Sequence, residues 1–344
     1  VRPSRLRAIP GCEFITQYPP LEQLIDGLLA RGRCYSLTGQ TGHGKTAVAK
    51  LMELAVAAGK PFAGREAPKC NVLSLQGENP EDAAMRMRGT AQCLGYTSTD
   101  LNRIFVIPEA FDVDAKVLEI DTIGEELGPF GLVVVDTSAA YNMGTDENDN
   151  LQARRHAAMF RELTNLPGNP TVIVLCHPTK GATRESLLPR GGGAFLAEVD
   201  GNLTCWKDET GIVTLSTAGK YRGPSFDPIR FELKPWELSG VTDTKGRPVQ
   251  TVVAVPLADD QAEQLQAKVL DDENRLLIAM SKKPGGSIKD LALAAGMTSG
   301  PGIPQKSRVH RLLETLKGQS LTEKTRTGTW VLTAKGKKEA EQLP

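Results

Sequence analysis

Eight residues, Gly39-Gln40-Thr41-Gly42-His43-Gly44-Lys45-Thr46, have the types and spacing to hold a chain of phosphates. They fit G-x-x-x-x-G-K-[ST], the phosphate-binding loop. Glycines at 39, 42 and 44 permit positive φ and let the backbone approach an anion closely. Backbone N–H groups then converge on that anion at the start of the next helix. Lys45 would reach the β- and γ-phosphates, and the Thr46 hydroxyl would ligate Mg²⁺. ATP with Mg²⁺ is therefore the expected cofactor pair.

Further positions could turn binding into hydrolysis. Asp136 closes the apolar run 131–136 (GLVVVD), and a carboxylate so placed orients Mg²⁺, often through water. Glu78 is a candidate base for the attacking water. The surrounding Glu78-Asn79-Pro80-Glu81-Asp82 also reads as a helix start with acids in its first turn. His177 follows another apolar run and could sense the γ-phosphate through a hydrogen bond. Lys220 and Arg222, two residues apart, would share one face of a strand. In a ring they could reach a neighbour's γ-phosphate.

These groups need a scaffold that gathers them at one edge. Strand-like runs at 34–38, 72–76, 104–107, 132–135 and 172–176 alternate with helix-like runs at 46–58, 80–94, 114–127 and 151–165. Continuous Val/Ile/Leu strands imply a parallel sheet buried on both faces. Alternating βα units imply an α/β doubly wound core. Ligands of such sheets sit beyond the carboxyl ends of the strands, where the glycine loop, Glu78, Asp136 and His177 all fall. The first helix would turn Val48, Leu51, Leu54 and Ala55 inward.

The rest of the chain is divided by composition. Residues 1–30 read as an N-terminal arm, with Arg2, Arg5 and Arg7 and a helical stretch over 21–29 after Pro19-Pro20. Residues 31–238 form the main domain. Within it, 143–150 is a polar, acidic loop. The glycine-rich stretch 178–193 carries Lys180 and Arg190 and reads as a mobile DNA contact. A hairpin joins 201–207 to 212–216, and a strand follows at 229–233. Residues 239–258 look like a connection and 259–280 a helix, giving a linker over 239–280. In 281–344, Ser287 caps a helix over 288–295. The next helix, 305–317, would bury Val309, Leu312, Leu313 and Leu316 and leave Lys306, Arg308, His310 and Arg311 outside. Two short strands, 321–326 with Lys324 and Arg326, and 329–333, complete the order of a small α+β winged helix-turn-helix domain, whose second helix enters the major groove.

Charge distribution agrees with that division. The 344-residue chain is formally neutral, yet 281–344 carries 12 Lys and Arg against 5 Asp and Glu, leaving 29 against 36 elsewhere. A basic tail on an acidic body points to a polyanionic partner for the tail. No run of about eighteen apolar residues is available to span a bilayer. Six scattered cysteines with no C-x-x-C pair argue against a zinc site or disulfides and for a reducing cytoplasm.

Taken together, residues from about 15 to 238 resemble the RecA-like ATPases of the plasmid-replication RepA and DnaB-type hexameric helicase group. The resemblance rests on 39–46, Glu78, 131–136, His177 with Lys180, Arg190 with its three following glycines, and Lys220-x-Arg222-Gly223. Pro19-Pro20 and the Glu147-Asn148 pair are also reminiscent of the RepA-like branch. Two departures stand out: Cys176 precedes His177 where relatives often have a second histidine, and glycine follows Arg190 where they tend to carry serine. The resemblance implies a RecA-like sheet and hydrolysis at subunit interfaces of a ring, a hexamer in such proteins. Glu78 would be the base, His177 the sensor, and Lys220 with Arg222 the trans-acting pair. Single- or double-stranded DNA and replication or repair proteins are the partners it implies. The alternatives are a DNA-dependent ATPase switch that does not unwind, recombinase-like or regulatory, and a P-loop kinase acting on a small molecule.

Overall fold

The computed structural model describes residues 8–17, 22–142, 149–299 and 302–343. Arg2, Arg5, Arg7, Pro19-Pro20, Leu21 and the Glu147-Asn148 pair lie outside them. The chain divides into two compact units, Val1–Lys207 with Val213–Pro256, and Asp208–Ile212 with Leu257–Pro344.

The first unit begins with a short helix, α1 (Gly11–Gln17), and a small antiparallel pair, β1 (Gln23–Ile25) and β2 (Leu29–Ala30). This corrects the helix expected over 21–29. The turn between the strands falls on Asp26-Gly27, with Gly27 at φ 62°, and Asp-Gly is a strong hairpin signal. Leu24, Ile25, Leu28 and Leu29 are all buried.

Next come β3 (Cys34–Thr38), α2 (Lys45–Ala58), β4 (Asn71–Gln76), α3 (Pro80–Leu94) and the single turn α4 (Ser98–Leu101). Then follow β5 (Ile104–Ile107), α5 (Val113–Leu127), β6 (Phe130–Asp136), α6 (Asn150–Glu162) and β7 (Thr171–Cys176). Apart from α4, which the sequence reading lacked, these agree with it to within a residue or two, and a 3₁₀ turn ends the 151–165 segment. The unit closes with α7 (Gly192–Glu198), β8 (Gly201–Lys207), β9 (Ile212–Tyr221), β10 (Ile229–Thr242) and β11 (Pro248–Leu257).

Nine strands form one sheet in the order β11-β10-β9-β8-β3-β7-β6-β4-β5. Pairing is parallel from β8 through β3, β7, β6 and β4 to β5, while β9 returns antiparallel on β8. The fold is thus α/β around a large, mostly parallel sheet, as a RecA-like core requires. The central strands β3, β6 and β7 are buried at every position, which the apolar runs of β6 and β7 anticipate.

The expected connection at 239–258 is instead the end of β10, a turn at 243–247 and β11. Both strands pack on α3. Gln92 accepts the Ser239 N–H, Arg86 donates to the Val252 carbonyl, and a Cβ at Gly89 would lie 2.4 Å from Thr251. As a result α2 is enclosed, and 12 of its 14 residues are buried, Lys50 and Glu53 among them.

The second unit consists of α8 (Asp259–Lys282), α9 (Ile288–Ala294), the pair β12 (Thr298–Ser299) and β13 (Ile303–Pro304), α10 (Lys306–Gly318), the pair β14 (Thr322–Lys324) and β15 (Trp330–Leu332), and α11 (Ala334–Gln342). Ser287 caps α9 in a capping box with Asp290, and Val309, Leu312, Leu313 and Leu316 are buried, both as expected. The sequence reading missed α11.

Candidate active site

The glycine loop links the end of β3 to α2, and its three glycines serve different purposes. Gly42 and Gly44 have φ of 79° and 84°, a region open to glycine at little cost. Gly39 does not have positive φ. It is needed for space, since a Cβ there would sit 2.7 Å from the Cys205 carbonyl oxygen and 3.1 Å from Lys45 Cγ. No side chain caps α2 at Gly44, so its first N–H groups face the loop as an anion seat would require.

Lys45 is 6% exposed, and its ammonium donates to the carbonyls of Gly39 at 2.6 Å and Gln40 at 3.2 Å. Burial pulls its pKa down; among the groups that work against this are the Asp136 and Glu78 carboxylates. The neighbouring thiols of Cys176 and Cys205 are pushed up to about 12 by burial and stay protonated.

Asp136 ends β6, opposite Gln76 in the parallel register with β4. Burial raises its carboxyl to about 6, with Lys50 the strongest influence in the opposite direction and Thr46 a further one. Thr46 and Asp136 therefore lie near one another, as a Mg²⁺ site of this type requires. The Asp136 carbonyl also accepts the N–H groups of Gly77 at 3.1 Å and Glu78 at 3.4 Å, which fixes the turn carrying Glu78.

The cap of α3 is Asn79, whose side chain accepts from the Asp82 N–H. Glu78 is therefore not used as the cap. It is exposed, and one carboxylate oxygen accepts from the Thr137 hydroxyl at 2.7 Å. Sequence reasoning missed Thr137, although its place directly after the strand-end aspartate is a usable signal.

His177 follows β7, whose last carbonyl, Cys176, accepts the Gly39 N–H at 3.3 Å. The histidine thus adjoins the phosphate loop. His177 and Arg190 line one cleft with Ser138, Gln152, His156 and Phe195.

The stretch expected to be a mobile loop is anchored. Arg190 N–H donates to the His177 carbonyl, Thr179 N–H to Leu188, and Asn202 Nδ2 to the Leu187 carbonyl. Its glycines open α7, with Gly191 at φ 88° and no room for a Cβ beside Ala153. Lys180 and Arg190 are both exposed.

Lys220 and Arg222 lie elsewhere. Tyr221 pairs with Gly201 at the start of β8, so β9 ends at the amino edge of the parallel sheet. Lys220 donates to the carbonyls of Leu196 and Ala197, closing α7, and burial lowers its pKa. Arg222 lies 3.4 Å from Asp200, a buried carboxylate that also accepts the Cys34 N–H and faces Arg161 at 3.3 Å. Cys34 and Gly39 are separated by the length of β3, roughly 16 Å. The pair is therefore apart from the phosphate loop of its own chain.

In the second unit, Lys306, Arg311, Lys324 and Arg326 are exposed. Arg308 differs, being partly buried and ion-paired with the buried Asp272 of α8. Its role in this structure is to hold α10 against α8.

A glycine loop ending a central parallel strand, with a threonine and a strand-end aspartate near one another beside it, defines a P-loop nucleotide-binding protein. Residues 1–183, just over half of the chain, match the AAA domain family, and the chain belongs to that family of P-loop ATPases. No curated protein matches it. Among the described residues no helix is long and apolar enough to cross a membrane.

Proposed function

We propose that the chain is a Mg²⁺-dependent, ring-forming ATPase acting on DNA, a replicative helicase or translocase of the RepA type. In this reading Gly39, Gln40, Thr41, Gly42, His43 and Gly44 cradle the phosphates, Lys45 neutralises them, and Thr46 with Asp136 holds the metal. A Mg²⁺ held there would supply neutralisation of phosphate charge. Glu78, held by Thr137, accepts the proton of the attacking water. His177 reports the γ-phosphate to the cleft it shares with Arg190.

The observation that carries the ring is the separation of Lys220 and Arg222 from their own phosphate loop. Cations at the opposite sheet edge can serve hydrolysis only from a neighbouring subunit. A cation supplied in trans contributes on the order of 10³–10⁵ in rate. Single- or double-stranded DNA would be met by Lys180 and Arg190 and by the second unit, where Lys306, Arg311, Lys324 and Arg326 offer phosphate contacts. The order α9, α10, β14, β15 supports a winged-helix reading of that unit. Replication or repair proteins in the cytoplasm would be its partners.

The test mixes Arg222→Ala subunits with Glu78→Gln subunits. Hydrolysis should recover in part in the mixture, because one of the two kinds of interface between unlike subunits joins an intact base to an intact cation. No recovery at any ratio, with light scattering showing one subunit in the presence of an ATP analogue and single-stranded DNA, would refute the ring. Phosphorylation of a metabolite by such a monomer would favour the kinase alternative.

A further inference from the structure

Behind the candidate site lies a polar network that the hydrolytic roles do not use. Lys50 and Glu53 of α2 are fully buried, and the Lys50 ammonium spans both Glu53 oxygens at 2.8 and 3.0 Å. Lys50 also donates to Ser74 Oγ at 3.1 Å, and Ser74 Oγ donates to Glu53 at 2.9 Å. Gln76 Nε2 completes the set with a bond to Ser74 Oγ at 2.8 Å.

Two ladders meet here. On α2, residues 46, 50 and 53 are spaced four and three apart and share a face. On β4, residues 74 and 76 share a face, and Glu78 lies two residues further on. The helix ladder starts at the metal-ligating threonine, and the strand ladder ends at the candidate base. A buried ion pair is weak evidence of stability, because apolar groups of similar volume often serve as well. Its directional bonds between helix and strand favour one register over others, a use attested for buried polar groups in some proteins.

We propose that the Lys50–Glu53–Ser74–Gln76 network is a positioning element that locks the phosphate-binding helix to the strand carrying Glu78. It rests on the ATPase reading for its catalytic consequence. Lys50 and Ser74 are positioning residues, acting through Thr46 and Glu78 rather than on the nucleotide.

The experiment uses the full chain. Lys50→Met alone would strand the Glu53 carboxylate, so the informative variants are Lys50→Met/Glu53→Leu, which removes both charges, and Ser74→Ala, which cuts the helix–strand link. Each is checked for a cooperative melt, then measured for ATP affinity, kcat, and amide exchange at Gly77 and Glu78. Both variants should bind ATP within about threefold of the parent and lose at least about tenfold in kcat, the scale expected of a small misplacement of reacting groups. The Gly77 and Glu78 amides, bonded to Asp136, should exchange faster. Folded variants with kcat and exchange at these amides unchanged would overturn the proposal and leave the network a purely structural one. Should the parent chain hydrolyse no ATP, the ATPase reading fails while the exchange measurement still decides the positioning claim.

Discussion

Asp136→Asn should make the metal-free chain more resistant to heat as the pH rises, while disabling it. Burial lifts the Asp136 carboxyl from its ordinary 3.8 to about 6. Between those values the folded state binds the proton more tightly than the unfolded chain, so stability falls as the pH rises through the window. Above pH 7 the ionised carboxylate costs roughly 3 kcal/mol. Asparagine carries no charge at any pH and keeps an oxygen for Thr46, although its amide hydrogens need partners, at a cost of about 1–3 kcal/mol. That cost does not depend on pH, whereas the carboxylate cost does. From pH 4.5 to pH 8 the difference between variant and parent should swing by about 2 kcal/mol in favour of the variant. For a unit of this size that is roughly 4–8 °C in Tm. The assay is thermal unfolding of both proteins in EDTA across that range. Adding Mg²⁺ and ATP should stabilise the parent more, by about 2.7 kcal/mol at a hundredfold excess over Kd. A difference in Tm that stays flat with pH would refute the reasoning.

Other substitutions separate binding from turnover. Lys45→Ala should abolish hydrolysis and weaken nucleotide binding, whereas Glu78→Gln should bind ATP normally and fail to turn it over; equal loss of binding in both would contradict their separate roles. Gly39→Ala brings a Cβ to 2.7 Å from the Cys205 carbonyl and should weaken nucleotide binding by at least about tenfold, since glycine-loop geometry sets the anion seat; parent-like affinity by calorimetry would show that the loop yields. Removing residues 281–344 should lower DNA affinity and flatten its dependence on salt. Unchanged binding would exclude that segment as the DNA contact.

The main strands were legible because β6 and β7 hold continuous apolar runs and β3 and β4 are short, half-apolar segments that alternate with helix-like runs, and the residue after each was therefore identifiable as a site position. The failures share a cause, which is that local pattern does not report what packs on a segment. Leu24, Ile25, Leu28 and Leu29 have helical spacing, yet the Asp26-Gly27 turn folds them into a buried hairpin. The stretch that forms β10, its turn and β11 carries Gly240, Gly246 and Pro248 and shows mixed burial, and only pairing with β9, with α3 packed on them, makes these strands part of the sheet. The helix α7 opens on two glycines, so its propensity is low. Lys50 and Glu53 were invisible as interior groups because charged helix residues are almost never fully buried unless paired. The site was read more completely than its supports: Thr46, Asp136 and Glu78 converge as expected, while Thr137, Ser74 and Gln76 emerge only from the fold.

The enclosure of α2 has a consequence for how the molecule responds to its ligand. The helix whose first turn forms the candidate phosphate seat is the most buried helix described in the first unit. Occupancy should therefore raise resistance to proteolysis and heat throughout that unit, well beyond the loop itself, and damage to the loop will surface as poor expression as readily as lost turnover.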